Sequence, residues 1–203
     1  MVNNDDKLTL LTPANSVLAL VDFQPSMFKG VGSGDKATIK RVATLAATAA
    51  QILGVPVVLS SINPKTNGEF LVEITSLFPG VEVYARKVPS FDAFEDERNW
   101  QALVKTGHKK LVMAGLWTSM CFAFTALHAI REGLTVYGLV DAAGDSTVDA
   151  HKYGIKRMLA AGMIPVTLEQ LTSEWMHDWN NPKAGELWKK VYAHHGAMLG
   201  LGS

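Results

Sequence analysis

Short apolar runs alternate along this chain with longer stretches of helical period, and that alternation restricts the fold more than any other feature of the sequence. The runs SVLALVDFQ (Ser16 to Gln24), VPVVLSS (Val55 to Ser61), KLVMAGL (Lys110 to Leu116) and LTVYGLVD (Leu134 to Asp141) are apolar nearly throughout. Strands of that kind are buried on both faces, which requires a parallel sheet with crossover helices on either side. DKATIKRVATLAATAAQIL supplies an Ala-rich helix that opens near Asp35 and stops at Gly54, where a residue without a Cβ takes the left-handed conformation. SMCFAFTALHAIREG and STVDAHKYGIKRMLAAG supply two more helices, and MIPVTL a last strand. Residues Asn63 to Phe78 hold Asn-Pro and Asn-Gly and predict a loop with a short helix, while VEVYARK (Val81 to Lys87) returns to strand character. The expected fold is α/β, with a mostly parallel sheet of about six strands in doubly wound order.

Length and composition narrow the function. A chain of 203 residues with 48% apolar and 19% charged residues forms one domain with a substantial core, here spanning 1–203 with a helical tail from about 169. Lys plus Arg equals Asp plus Glu at 19 each, so there is no charge excess to draw nucleic acid or anionic lipid. No apolar run reaches the roughly 20 residues of a membrane span. The single cysteine precludes an internal disulfide, and the start MVNNDDKLTLL is acidic where a secretory signal is basic, so a cytoplasmic location is expected. The tail carries Trp175, Trp179 and Trp188, which either close the core or form a subunit interface.

In an open parallel sheet the ligand crevice lies at the carboxyl ends of the strands. Three reactive residues fall there: Asp22 after the first strand, Lys87 at the end of the third, and Cys121 just past the fourth, at the start of its helix. A helix N-terminus and a nearby ammonium favour thiolate over thiol, and a carboxylate in reach takes the thiol proton and returns it to a leaving amine. Taken singly, each residue has an ordinary structural explanation: a buried small hydrophobe, a solvated charge, a turn or cap.

The surrounding wording adds specificity. LALVDFQ, ARKVPSFDAF and MAGLWTSMCFAFTALHAIREG, in this order and spacing, resemble the signature segments of the isochorismatase-like cysteine hydrolases, nearest the YcaC-type branch, from Leu18 to about Thr167. The resemblance implies a Rossmann-like three-layer α/β/α sandwich and a triad with Asp22 as general base, Lys87 as electrostatic partner and Cys121 as nucleophile. It further implies a cis peptide between Trp117 and Thr118 and an oxyanion hole built from the Thr118 and Cys121 N–H groups. Family members that bind zinc carry an Asp and paired histidines after the second strand, where this chain reads SINPKTNGEF, so neither a metal nor another cofactor is expected.

The resulting expectation is a hydrolase of a small amide or related C–N bond working through a thioester, and homo-oligomeric, between dimer and octamer. Two alternatives stand beside it: a vinyl-ether hydrolase of the isochorismatase type, and a non-catalytic oligomeric protein retaining the fold. Phe23, Phe28, Phe91, Phe94 and Phe122 lie near the signature segments and are the expected walls of the substrate pocket, together with Trp117. Gly30, Gly32 and Gly34 lack the rest of a dinucleotide or phosphate-loop pattern and predict a flexible loop near the site. His128 is too far along its helix from Cys121 for a direct dyad and is read as a packing residue.

Overall fold

The computed structural model describes residues 8–195; the acidic start up to residue 7 and the stretch 196–203 of the expected tail lie outside the described residues. Six strands, β1 (Ser16–Val21), β2 (Val57–Ser61), β3 (Val83–Ala85), β4 (Lys110–Gly115), β5 (Thr135–Leu139) and β6 (Ile164–Val166), pair in the order β3-β2-β1-β4-β5-β6. Every pairing is parallel, so the sheet is wholly rather than mostly parallel. The principal helices are α1 (Lys36–Leu53), α2 (Glu97–Val104), α3 (Ala123–Arg131), α4 (Val148–Ala160), α5 (Leu168–Met176) and α6 (Ala184–Lys190).

Alternation along each strand divides the core in two. Leu18 and Leu20 of β1, Leu59 of β2 and Val112 of β4 point to one face, where α1, α5 and α6 cover them with Ala46, Ala50, Leu171 and Leu187. Val17, Ala19 and Val21, with Leu111 and Met113, point to the other, where α2, α3 and α4 supply Leu103, Ala126, Ala129 and Met158. The runs are apolar throughout because both faces are covered. Helix α1 begins where the Asp35 carboxylate accepts the Thr38 N–H at 2.7 Å and ends at Gly54 with φ 73°.

The tail belongs to this core. Trp175 of α5 is buried, and its indole N–H donates to Ser16 Oγ at 2.9 Å, fastening the tail to the start of β1. Trp179 is instead 62% exposed and packs edge-on to Trp188, with ring centroids 6.1 Å apart. Among the described residues no helix is long and apolar enough to cross a membrane.

Candidate functional site

From β1 the chain winds outward through β2 and β3 and then returns to place β4 on the other side of β1. The crevice of a doubly wound sheet opens at such a reversal, above the carboxyl ends of the two central strands. Asp22 stands there, ending β1 with φ 62° and its N–H donating to the Ser60 carbonyl at 2.8 Å. Cys121 follows β4 in a π-helical turn, Thr118–Phe122, that leads into α3.

The cation that joins them is Arg86, and Lys87 is not brought to the site. Arg86 Nη2 donates to Asp22 Oδ2 at 2.6 Å, both side chains being wholly buried, and lies 4.0 Å from Cys121 Sγ. The reason for the difference is the two-residue period of extended backbone. The Arg86 N–H donates to the Ser61 carbonyl at 3.0 Å, so the strand pattern continues past β3 and sends Arg86 inward and its neighbour outward. Lys87 is exposed, and its backbone N–H donates to Asp96 Oδ2 at 3.0 Å.

Burial sets the ionisation of the pair. It raises Asp22 above the ordinary carboxylate value, against the lowering effect of the Arg86 charge and hydrogen bond. Burial also drives the Cys121 thiol well above its usual value; the Asp22 charge adds to this, while Arg86 and the Trp117 N–H directed at the sulfur oppose it. The expected preformed thiolate is therefore corrected: with Cys121 only 2% exposed, desolvation outweighs the helix N-terminus and the cation. Burial thus favours the protonated form of both groups, Cys121 and Asp22.

The turn is held from outside. A cis peptide joins Leu116 to Trp117, one bond before the expected position. The Thr118 N–H donates to the Gly144 carbonyl at 3.0 Å and the Ser119 N–H to Asp145 Oδ2 at 2.6 Å. Thr118 Oγ1 pairs with His151 Nδ1 at 2.9 Å. The Thr118 amide is thus committed and is not available to an oxyanion in this conformation.

Four of the five expected pocket phenylalanines are core residues. Phe23 and Phe28 fill one core face with Phe70, Phe94 and Phe122 fill the other, and Phe91 lies half exposed against Phe124 at 6.1 Å. Trp117 stands closer to the expected role, half-buried beside the turn, with its indole N–H donating to the Met27 carbonyl at 3.0 Å. The glycine loop packs closely: a Cβ on Gly30 would meet the Trp117 ring at 2.3 Å, and the Gly32 N–H donates to the Asp145 carbonyl at 2.8 Å. Gly30 and Gly32 serve close approach rather than flexibility, while a Cβ on Gly34 would meet only an ordinary contact with Ile39 at 3.8 Å.

Residues 16–170, most of the chain, match the isochorismatase domain. This chain belongs to the isochorismatase family. It is 30% identical over 185 residues to the probable hydrolase YcaC of Escherichia coli (strain K12), covering 90% of this chain and 83% of that protein. The solved E. coli YcaC gene product, described as an octameric hydrolase of unknown specificity, superposes with a TM-score of 0.88 at 27% identity, over 95% of this chain and 94% of that one. YcaC from Pseudomonas aeruginosa, solved with hexane-2,5-diol and covalent acrylamide, gives a TM-score of 0.87 at 25% identity, over 96% and 98%. The family, its fold and the hydrolase class expected from the sequence agree with these relatives.

Around this site, sequence reasoning missed Arg86, Ser60, Asn99 and Asp145, and it read His151, which pairs with Thr118, as a surface histidine. A signal existed for Ser60, since the buried run VLSS ends its strand in hydroxyls that need partners. Arg86 was one residue from the chosen cation. His128 is a packing residue against Phe94 and Trp100, as expected, and also pairs with Asp92 at 2.7 Å.

Proposed function

We propose that this chain is a cysteine hydrolase of a small amide or related C–N bond, with Cys121 as nucleophile, Asp22 as general base and acid, and Arg86 in the electrostatic role. The single observation that carries this reading is the buried contact of one guanidinium with the Asp22 carboxylate at 2.6 Å and the Cys121 sulfur at 4.0 Å. Asp22 takes the thiol proton as the sulfur attacks the carbonyl carbon, whose π electrons move to oxygen. Collapse of that adduct breaks the C–N bond, and the amine leaves with the proton held by Asp22. Water, losing a proton to Asp22, then attacks the thioester, releases the acid and restores the thiol. The Trp117 and Cys121 N–H groups are the oxyanion donors in this reading, each worth about 3 kcal/mol of transition-state stabilisation.

Covalent acrylamide in the Pseudomonas aeruginosa relative is consistent with a nucleophile, and acrylamide is itself a small amide. The octameric state of the Escherichia coli relative supports a homo-oligomer here. A second reading has one observation in its favour: burial raises Asp22, and a protonated Asp22 is the acid that cleavage of a vinyl ether requires. One variant separates the two. Against a panel of small amides, the wild type releases ammonia or amine, and Cys121→Ala lowers turnover by about 10³-fold or more. Full activity of Cys121→Ala on any substrate overturns nucleophilic catalysis.

A further inference from the structure

Helix α2 carries a buried amide where an aliphatic side chain would serve packing better. Asn99 is wholly buried, and asparagine is both a poor helix former and costly to desolvate. Its side-chain hydrogen bond runs to β2, where Asn99 Nδ2 lies 3.1 Å from Ser60 Oγ. Arg86 Nη1 lies 3.4 Å from the same oxygen. Two donors from different elements therefore converge on one buried hydroxyl.

That convergence matters because little else aims the guanidinium. Among the described residues Arg86 Nε has no hydrogen-bond partner, so the guanidinium is placed by the Nη contacts with Asp22, Cys121 and Ser60. The start of α2 is tied to the same place: Asp96 caps the helix through the Arg98 N–H and also accepts the Lys87 N–H, one residue beyond Arg86.

We propose that Ser60 and Asn99 are positioning residues for the reaction, holding the Arg86 guanidinium between carboxylate and thiol through a hydrogen-bonded chain that runs Asn99, Ser60, Arg86, Asp22. The inference rests on the cysteine-hydrolase reading and names the groups that make its electrostatics work. Neither side chain touches a reacting atom. The titratable and charged groups facing the guanidinium are Asp22 of β1 and Cys121 of the π turn, and those facing it from β2 and α2 are the neutral Ser60 and Asn99.

The test is the pH dependence of Cys121 alkylation by acrylamide in the full chain, followed by mass spectrometry. A guanidinium that drifts from Asp22 leaves the carboxylate harder to ionise and the thiol harder to deprotonate, so both effects move the acid limb upward. Ser60→Ala and Asn99→Leu each shift that limb up by about one pH unit, which slows alkylation about tenfold on its acid side. Ser60→Thr, which keeps the hydroxyl, retains the wild-type limb. A purely structural role would lower the melting temperature of the variants and leave the limb in place. If Ser60→Ala does not fold, Asn99→Leu carries the test alone. A reactive wild type whose limb the folded variants share overturns the inference and leaves the cysteine reading standing. A wild-type cysteine inert to acrylamide across the pH range overturns that reading and the inference with it.

Discussion

Arg86 and Lys87 are adjacent cations with opposite surroundings, and the difference is measurable. Removing Arg86 strands a buried carboxylate, a change that costs about 3–5 kcal/mol unless the group takes up a proton. Arg86→Ala is therefore expected to lower the unfolding free energy by that order in urea titrations at neutral pH and to abolish Cys121 alkylation. Lys87→Ala leaves both unchanged, because the ammonium is solvated and away from the site. Arg86→Lys behaves like the loss, since one ammonium cannot span Asp22 and Ser60 as the planar fork does. A pH prediction follows from Asp22. Its value is raised in the fold, so the folded state binds that proton more tightly than the unfolded chain; the stability it contributes is full below 3.8 and is lost as pH rises through the folded value. Asp22→Asn removes that decline, which appears as a smaller drop in unfolding free energy between pH 4 and pH 7. The sequence made Asp22 and Cys121 legible because strand ends and the helix start fix where they sit. It did not separate Arg86 from Lys87, because in extended backbone a slip of one residue exchanges inside for outside, and that phase is set by the pairing of β3 with β2 and its continuation through the Arg86 N–H bond to Ser61.

At the scale of elements, the nucleophile's turn owes its shape to neighbours far along the chain. Asp145 accepts the Ser119 N–H, Gly144 accepts the Thr118 N–H, and α4 comes so close at Gly154 that an added Cβ would stand 2.9 Å from the Ser119 backbone. Gly154→Ala sets two effects against each other. Alanine improves an isolated helix by about 1 kcal/mol, while overpacking against rigid backbone costs about 1–3 kcal/mol. The contact is backbone and cannot rotate away, so a net loss of stability is expected, with slower alkylation of Cys121 as the turn is displaced. Thermal unfolding and acrylamide labelling measure the two parts; a more stable variant with unchanged labelling would contradict the close packing. This dependence explains which elements the sequence foretold. Helix α1 carries both of its signals locally, in Asp35 and Gly54, and its bounds were readable. The π turn has no local signature, being shaped by Asp145 and Gly154, and so the oxyanion donors were assigned to an amide that Gly144 already occupies.

Over the whole molecule, covering both faces of a parallel sheet explains why the fold was easier to read than the pocket. Apolar runs alternating with helices require a doubly wound sheet, and the same requirement absorbs Phe23, Phe28, Phe94 and Phe122 into the two core faces instead of leaving them above the thiol. The tryptophans of the tail divide by the same logic, and two substitutions separate their roles. Trp175 fills the core and donates to Ser16 across 159 positions of sequence, so Trp175→Ala removes a large buried side chain at a cost of about 3–5 kcal/mol. Trp175→Phe keeps most of the volume, loses the hydrogen bond and costs less. Among the described residues Trp179 is open to solvent, its ring resting on the half-buried Trp188 and the buried Tyr192. Trp179→Ala is expected to leave monomer stability within about 0.5 kcal/mol and, in the homo-oligomer proposed above, to lower the sedimentation coefficient, because an exposed tryptophan gains apolar contact on assembly at least cost to the core. An unchanged sedimentation profile would assign the contact between subunits to another face, and a large fall in stability would return Trp179 to the core with Trp175.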